Sequence, residues 1–175
     1  NVPIQKYFAL DLDGIAPLND AIDGVTVTSL YEFQEQGIKI GDTVTLKGDM
    51  AETYVRTRDM DNINASLNRT DRQIQYIKAF AQQAVPAVVR DFSTISDLYG
   101  ISTRYSRTNL TLSNATYMGS LLLSKNVTDF TGYTLEGEMK ASDDPVLPDV
   151  VHAEFYPDEE YLMQTVLDVF YTQID

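Results

Sequence analysis

Apolar positions fall into short alternating runs interspersed with longer stretches at helical spacing, a pattern that predicts a mixture of strands and helices. Tyr7 to Asp13 (YFALDLD) reads as a strand whose apolar residues give way to acids. Gly14 breaks it, and Ile15, Leu18 and Ile22 recur as on a helix. Asp23-Gly24 turns the chain into Val25–Thr28, a β-branched alternating run. Ile38, Ile40, Val44 and Leu46 alternate within 37–48 and predict a hairpin about Gly41-Asp42. A short helix is expected over 49–54, an extended Val55–Arg58, and a polar loop over 59–68.

The strongest helical pattern begins at Asn68, which can cap it, with Asp71 placing negative charge near the positive end of the helix dipole. Ile74, Ile77, Ala81, Ala84 and Val88 form its apolar stripe with Phe80 at the edge, and Pro86 predicts a kink or an end before Arg90. Further helices are expected over 93–98 and 112–124, strands over 130–139 and 150–156, and an acidic, Pro-containing loop over 141–149. Asp158-Glu159-Glu160 opens a last helix with Leu162, Val166, Val169 and Phe170 on its inner face. Strand, short helix and strand within about 22 residues suggest an α/β unit, although an α+β layer would fit the helix equally well, and the length favours one domain over 1–175.

Composition narrows the chemistry. The 175 residues carry a net charge of −13, which repels nucleic acid and anionic membrane, so an anionic ligand must find a local basic pocket. With no Cys there is no disulfide, zinc–thiolate site or cysteine nucleophile. The one histidine, His152, lies among apolar residues of a strand and reads as structural. No apolar run approaches a membrane span and no signal peptide is visible; the absence of an initial Met points to an upstream segment. Tyr76 and the apolar run Met118, Leu121, Leu122 and Leu123 read as core, and the five Asn-x-Ser/Thr sequons at Asn64, Asn68, Asn109, Asn114 and Asn126 as incidental to an Asn-, Ser- and Thr-rich chain.

The positive charge is concentrated. Of the arginines, Arg56, Arg58, Arg69 and Arg72 fall within 17 positions. On an extended backbone Arg56 and Arg58 point to one face; on a helix Arg69, Arg72 and Gln73 share a flank beside the apolar stripe. Guanidinium groups pair with phosphate through parallel hydrogen bonds, and a helix start adds unpaired N–H groups, so these elements form a candidate site for a multiply charged anion such as pyrophosphate. The competing reading is ion pairing of the same arginines with Asp59, Asp61 and Asp71.

The run YFALDLDGIAPLNDAIDGVTV (7–27), then LKGDMAETYVRTR (46–58), then NRTDRQIQYI (68–77), resembles the LytR-CpsA-Psr family, whose YVRxR and RxxRQ blocks follow in this order; VHAEFYPDEEYLMQTVLDVFY (151–171) fits its closing strand and helix more loosely. The resemblance implies an extracytoplasmic Gram-positive cell-envelope enzyme, membrane-anchored through an N-terminal helix outside this chain. Such enzymes transfer a glycopolymer, such as teichoic acid or capsule, from a polyprenyl-pyrophosphate carrier to peptidoglycan or a similar wall acceptor. It also implies an α/β fold, a central mixed β-sheet flanked by helices in an α-β-α sandwich-like arrangement, with pyrophosphate held by an arginine cluster and Mg²⁺. By position, Arg56 and Arg58 match the YVRxR arginines and Arg69, Arg72 and Gln73 the RxxRQ block; these five are the candidate pyrophosphate ligands.

The chain also departs from the family. Nothing in it matches the D-x-R-S-D-T-like block of the family's N-terminal half, whose carboxylates hold Mg²⁺; the chain is either a fragment corresponding to the later part of the family domain or a divergent member that has lost the metal site, and the Mg²⁺ ligands are not found in it. Asp23-Gly24-Val25 stands for GGV, and Ile74 for the second Gln after RQ. Asp11 and Asp13 are the only replacement metal ligands to be considered, and no catalytic base is evident. Three readings follow: a partial glycopolymer transferase domain with little activity alone, a non-catalytic module that binds anions or lipid phosphates, and a structural domain with ion-paired arginines.

Overall fold

The computed structural model describes residues 4–59, 62–124, 132–143, 146 and 151–171. The chain divides into two compact units, the first built from Pro3–Thr57 and Arg72–Phe130, the second chiefly from Arg58–Asp71 and Thr131–Asp175.

In the first unit, strand β1 (Phe8–Leu10) leads through a 3₁₀ turn at Leu12–Gly14 into helix α1 (Ile15–Asp20). Strands β2 (Val25–Thr28) and β3 (Thr43–Leu46) follow, then helix α2 (Asp49–Arg56). Helix α3 spans Ala65–Arg90, its later residues lying in this unit; α4 (Ser93–Tyr105), strand β4 (Ser106–Thr108) and α5 (Leu112–Ser124) complete it. The second unit holds strands β5 (Gly137–Asp143) and β6 (Val151–Pro157) and helix α6 (Glu159–Phe170). Asp158 caps α6, its carboxylate accepting from the Tyr161 N–H at 2.9 Å as the sequence indicates.

Helix and strand are mixed as expected, with the strands among the described residues arranged as three two-stranded antiparallel ribbons, β1–β4, β2–β3 and β5–β6. The core of the first unit gathers Ile15, Ile22, Val25, Val27, Phe33, Leu46, Ala51, Tyr54, Val55, Tyr76 and Ala87. Val25 and Val27 point inward while Thr26 and Thr28 point out, as β2's alternation predicts. Asn19 is wholly buried in this core: its Nδ2 donates to the Leu46 carbonyl at 2.8 Å and its Oδ1 accepts from the Tyr76 hydroxyl at 3.1 Å, tying α1, β3 and α3 together. Asp23, standing where the family has Gly, adopts φ of 66°, a left-handed conformation that Asp tolerates better than most side chains. At Gly24, with φ of +93°, a Cβ would meet the Leu46 carbonyl oxygen at 2.7 Å.

Six local expectations are corrected. β3 pairs with β2 in the register Val25↔Leu46 to Thr28↔Thr43 instead of folding back about Gly41-Asp42, because the buried Val25 and Val27 supply the apolar face it needs; Phe33↔Ile38 is an isolated bridge. α2 continues to Arg56, so Arg56 and Arg58 do not alternate along a strand. α3 starts at Ala65, not Asn68: the Asn62 side chain accepts from the Asn64 N–H at 2.8 Å and its carbonyl from the Ala65 N–H at 2.9 Å, a turn that launches the helix earlier. Pro86 lies inside α3 on its exposed side, where its ring neither ends the helix nor enters the core. Similarly α4 runs to Tyr105, and β5 extends to Asp143 across residues expected to be loop. The beginning of the strand expected over 130–139 and most of the loop over 144–150 lie outside the described residues.

The candidate anion site

The carboxyl end of α2 is where the RxxRQ block is fastened. A helix end leaves its last carbonyls without intrahelical partners. Here Arg72 is 1% exposed, donates through Nε to the Tyr54 carbonyl at 2.9 Å and through Nη2 to the Thr57 carbonyl, and stacks with its guanidinium carbon 4.7 Å from the Tyr31 ring centroid. Gln73 adds a bond from Nε2 to the Val55 carbonyl at 3.1 Å. The Thr57 N–H and hydroxyl both reach the Thr53 carbonyl, at 3.0 and 2.8 Å. The carbonyls of Thr53, Tyr54, Val55 and Thr57 are therefore all engaged, and the cation lies at the negative end of the helix dipole.

The other arginines are placed differently. Arg56, the last residue of α2, has an exposed side chain paired with Glu52 one turn back at 2.8 Å. In the second unit, Arg58 donates to the Ser66 hydroxyl at 3.1 Å, and Arg69 keeps a buried Nε with no hydrogen-bond partner among the described residues. Of the acids considered as structural partners, Asp59 makes a further interaction and Asp61 lies outside the described residues. The structure thus brings Arg72 and Gln73 together on backbone carbonyls, a role the sequence did not reveal because an Arg that binds carbonyls and one that binds phosphate look alike in a motif. Tyr54 continues the same network: its hydroxyl donates to Gln75 Oε1 at 2.5 Å and accepts from the Leu30 N–H at 3.2 Å.

The remaining metal and relay candidates lie apart from these arginines in sequence. Among the described residues no three His, Asp or Glu side chains converge as a metal site would require. Asp11 and Asp13 are exposed at the 3₁₀ turn, and Asp11 makes no capping bond there. The described residues therefore bring together no donor set that would fit Mg²⁺. His152 Nε2 lies 3.0 Å from Glu154 Oε1, and the Tyr156 hydroxyl donates to the other carboxylate oxygen at 2.7 Å. The Tyr156 bond first, then His152, holds the Glu154 carboxyl below its ordinary range. Tyr76 is core, as expected. On α5, Tyr117 and Met118 are exposed. No helix among the described residues is long and apolar enough to cross a membrane.

An α/β fold with YVRTR closing one helix and RTDRQ near the start of the next defines the class, and the chain belongs to the LytR-CpsA-Psr family: that family's profile, LytR_cpsA_psr, matches residues 1–154. The polyisoprenyl-teichoic acid–peptidoglycan teichoic acid transferase TagU of Halalkalibacterium halodurans is 31% identical over 107 residues, 59% of this chain and 35% of that protein. Bacillus subtilis TagV aligns in structure with a TM-score of 0.70 at 20% identity, covering 98% of this chain and 66% of that one. TagT bound to LI-WTA aligns with a TM-score of 0.63 at 20% identity, covering 95% of this chain and 60% of that one. At such identities the structural likeness establishes the fold, and the chain spans about a third of the length of the curated relatives it matches.

Proposed function

We propose that this chain carries the cationic part of the substrate site of a cell-envelope glycopolymer transferase, acting at the extracytoplasmic membrane surface on a polyprenyl-pyrophosphate-linked glycopolymer with peptidoglycan as acceptor. In this reading Arg58 and Arg69 in one unit, and Arg56 in the other, are each candidate phosphate ligands, while Arg72 and Gln73 contribute chiefly by holding the end of α2 that carries Arg56. The observation that carries it is the buried Arg69 Nε without a partner among the described residues, in a chain where carboxylates outnumber cations. An unpaired buried donor costs about 1–3 kcal/mol, which an anionic ligand would recover. Among the described residues Arg56 pairs with Glu52 one turn back, an i,i+4 pair worth roughly 0.3–0.5 kcal/mol, which a phosphate oxygen could displace.

The guanidinium groups would stabilise the charge that develops on the departing polyprenyl phosphate as an acceptor hydroxyl attacks phosphorus. The described residues offer neither the Mg²⁺ ligands nor a base, so the chain by itself is expected to bind without appreciable turnover. Calorimetric titration with a short polyprenyl pyrophosphate, with and without Mg²⁺, tests this on the wild type and on Arg56→Ala/Arg58→Ala. Binding that weakens about tenfold or more in a variant that remains folded supports the site, since each charge-assisted hydrogen bond is worth about 1.5–3 kcal/mol. Unchanged binding in that variant would refute it. Binding indifferent to Mg²⁺ and without turnover would favour the module that binds anions or lipid phosphates without catalysis.

A further inference from the structure

Arg56 differs from its neighbouring arginines in what it faces. Its Nη1 lies 2.8 Å from Glu52 Oε1, whereas Arg58 donates to the Ser66 hydroxyl and Arg72 to backbone carbonyls. The two members of the pair are unequally placed: the Arg56 side chain is 66% exposed and the Glu52 side chain 23%. Glu52 is thus seated against the protein, and Arg56 reaches it from the solvent side. The order along the helix favours the contact. An acid four residues before a base is the better of the two i,i+4 orientations. Glu52 also stands in the first turn of α2 and Arg56 in its last, so each charge complements the helix dipole.

An anion approaching Arg56 therefore meets two charges. It gains the guanidinium by displacing a carboxylate, and that carboxylate, largely buried, stays behind as a like charge within the reach of one arginine side chain. We infer that Glu52 is a built-in competitor at the anion site, occupying Arg56 when no ligand is bound and weakening every anion that takes its place. The inference rests on the reading of Arg56 as a pyrophosphate ligand and adds a residue that sets how tightly that ligand is held. The penalty falls on all anions alike. A pyrophosphate group overcomes it because its several oxygens can take two parallel N–H donors of one guanidinium, while Glu52 engages Arg56 through Nη1 and a single oxygen.

Calorimetric titration with inorganic pyrophosphate at low ionic strength, on the wild type, Glu52→Gln, Arg56→Ala and Asp97→Asn, tests this. Circular dichroism checks that each variant is folded. Glu52→Gln keeps the size of the side chain and removes its charge, so pyrophosphate should bind about two- to fivefold tighter, the release of one i,i+4 pair together with the loss of a nearby repulsion. A damaged fold would weaken binding instead, so the direction of the change separates the two. Asp97→Asn removes an exposed charge from α4 in the same unit and should tighten binding by clearly less. Arg56→Ala should weaken it. Unchanged or weaker binding by folded Glu52→Gln would overturn the inference, and the pyrophosphate reading would stand as long as Arg56→Ala still loses affinity. Equal gains in Glu52→Gln and Asp97→Asn would also overturn it, because net charge alone would then account for both. Binding indifferent to Arg56→Ala, or no binding by any of the four proteins, would remove the pyrophosphate role of Arg56 and this inference with it.

Discussion

Arg72 shows how one residue type can serve two chemistries within a single motif. With its guanidinium buried and bound to the carbonyls of Tyr54 and Thr57, its removal leaves those acceptors without these donors and opens a gap beside Tyr31. Arg72→Ala should therefore destabilise the protein by about 2–4 kcal/mol in urea unfolding, whereas Arg56→Ala should change it by less than about 0.5 kcal/mol. Arg72→Lys should recover little, since an ammonium cannot span two carbonyls as a planar fork does. Equal effects of the two alanine variants would remove the distinction drawn between holding and binding arginines. Tyr76 gives a second prediction at this scale. Burial first, and the nearby Asp20 charge second, push its phenol well above the ordinary range. A raised acid pKa means stability that is complete below about pH 10 and lost as pH climbs towards the folded value. Tyr76→Phe should flatten that alkaline loss, at the expense of the bond to Asn19, and absorbance titration of the wild type should show one tyrosine ionising late.

At the scale of the element, α3 explains both what was legible and what was not. Its existence and type were plain from periodicity, as were β2, α5 and the opening of α6 at Asp158-Glu159-Glu160. The orientation of α3 was not. Ile77, placed on the apolar stripe, is 65% exposed, while Arg72, Tyr76 and Ala87 face inward, a rotation of roughly 120° at 3.6 residues per turn. Hydrophobicity misled because this helix packs against open backbone. Gln73, Gln75 and Gln83 meet carbonyls or N–H groups of α2 and β2, so polar side chains hold the inward positions. The same blindness left Asn19 and the carbonyl partners of Arg72 unnoticed, since partners distant in sequence leave no local trace. The arginine concentration itself was legible, but its division between clamp and candidate ligands was not. Gln83→Leu tests the account. If this amide substitutes for a strand, the apolar isostere should destabilise the protein by about 1–3 kcal/mol and raise hydrogen exchange at Thr26, despite adding hydrophobic surface to a helix. A gain in stability would mean that the amide closes nothing of consequence.

At the scale of the molecule, excess negative charge sets the terms on which every local interaction operates. The visible ion pairs, Lys47–Asp23, Arg56–Glu52 and Lys140–Glu138, have largely exposed cations and are weak, so salt removes little by screening them. A net charge of −13 instead makes the folded chain repel itself, and that repulsion acts over the tens of ångströms that a Debye length of about 30 Å at 0.01 M permits. The two effects oppose each other: screening the pairs lowers stability, and screening the net charge raises it. The repulsive sum involves many more charges than the few exposed pairs, so it should win. Raising NaCl from about 0.01 to 0.15 M, which shortens the Debye length to about 8 Å, should increase the unfolding midpoint. Under the proposed function, polyprenyl pyrophosphate would meet the same field, repelled by the overall charge and attracted by the arginines at short range. Salt should therefore change its affinity less than it would for a site on a basic surface. Melting curves and titrations at both salt concentrations measure the two responses together. A midpoint that falls with salt would mean that local pairs, rather than the net charge, dominate the electrostatics of this chain.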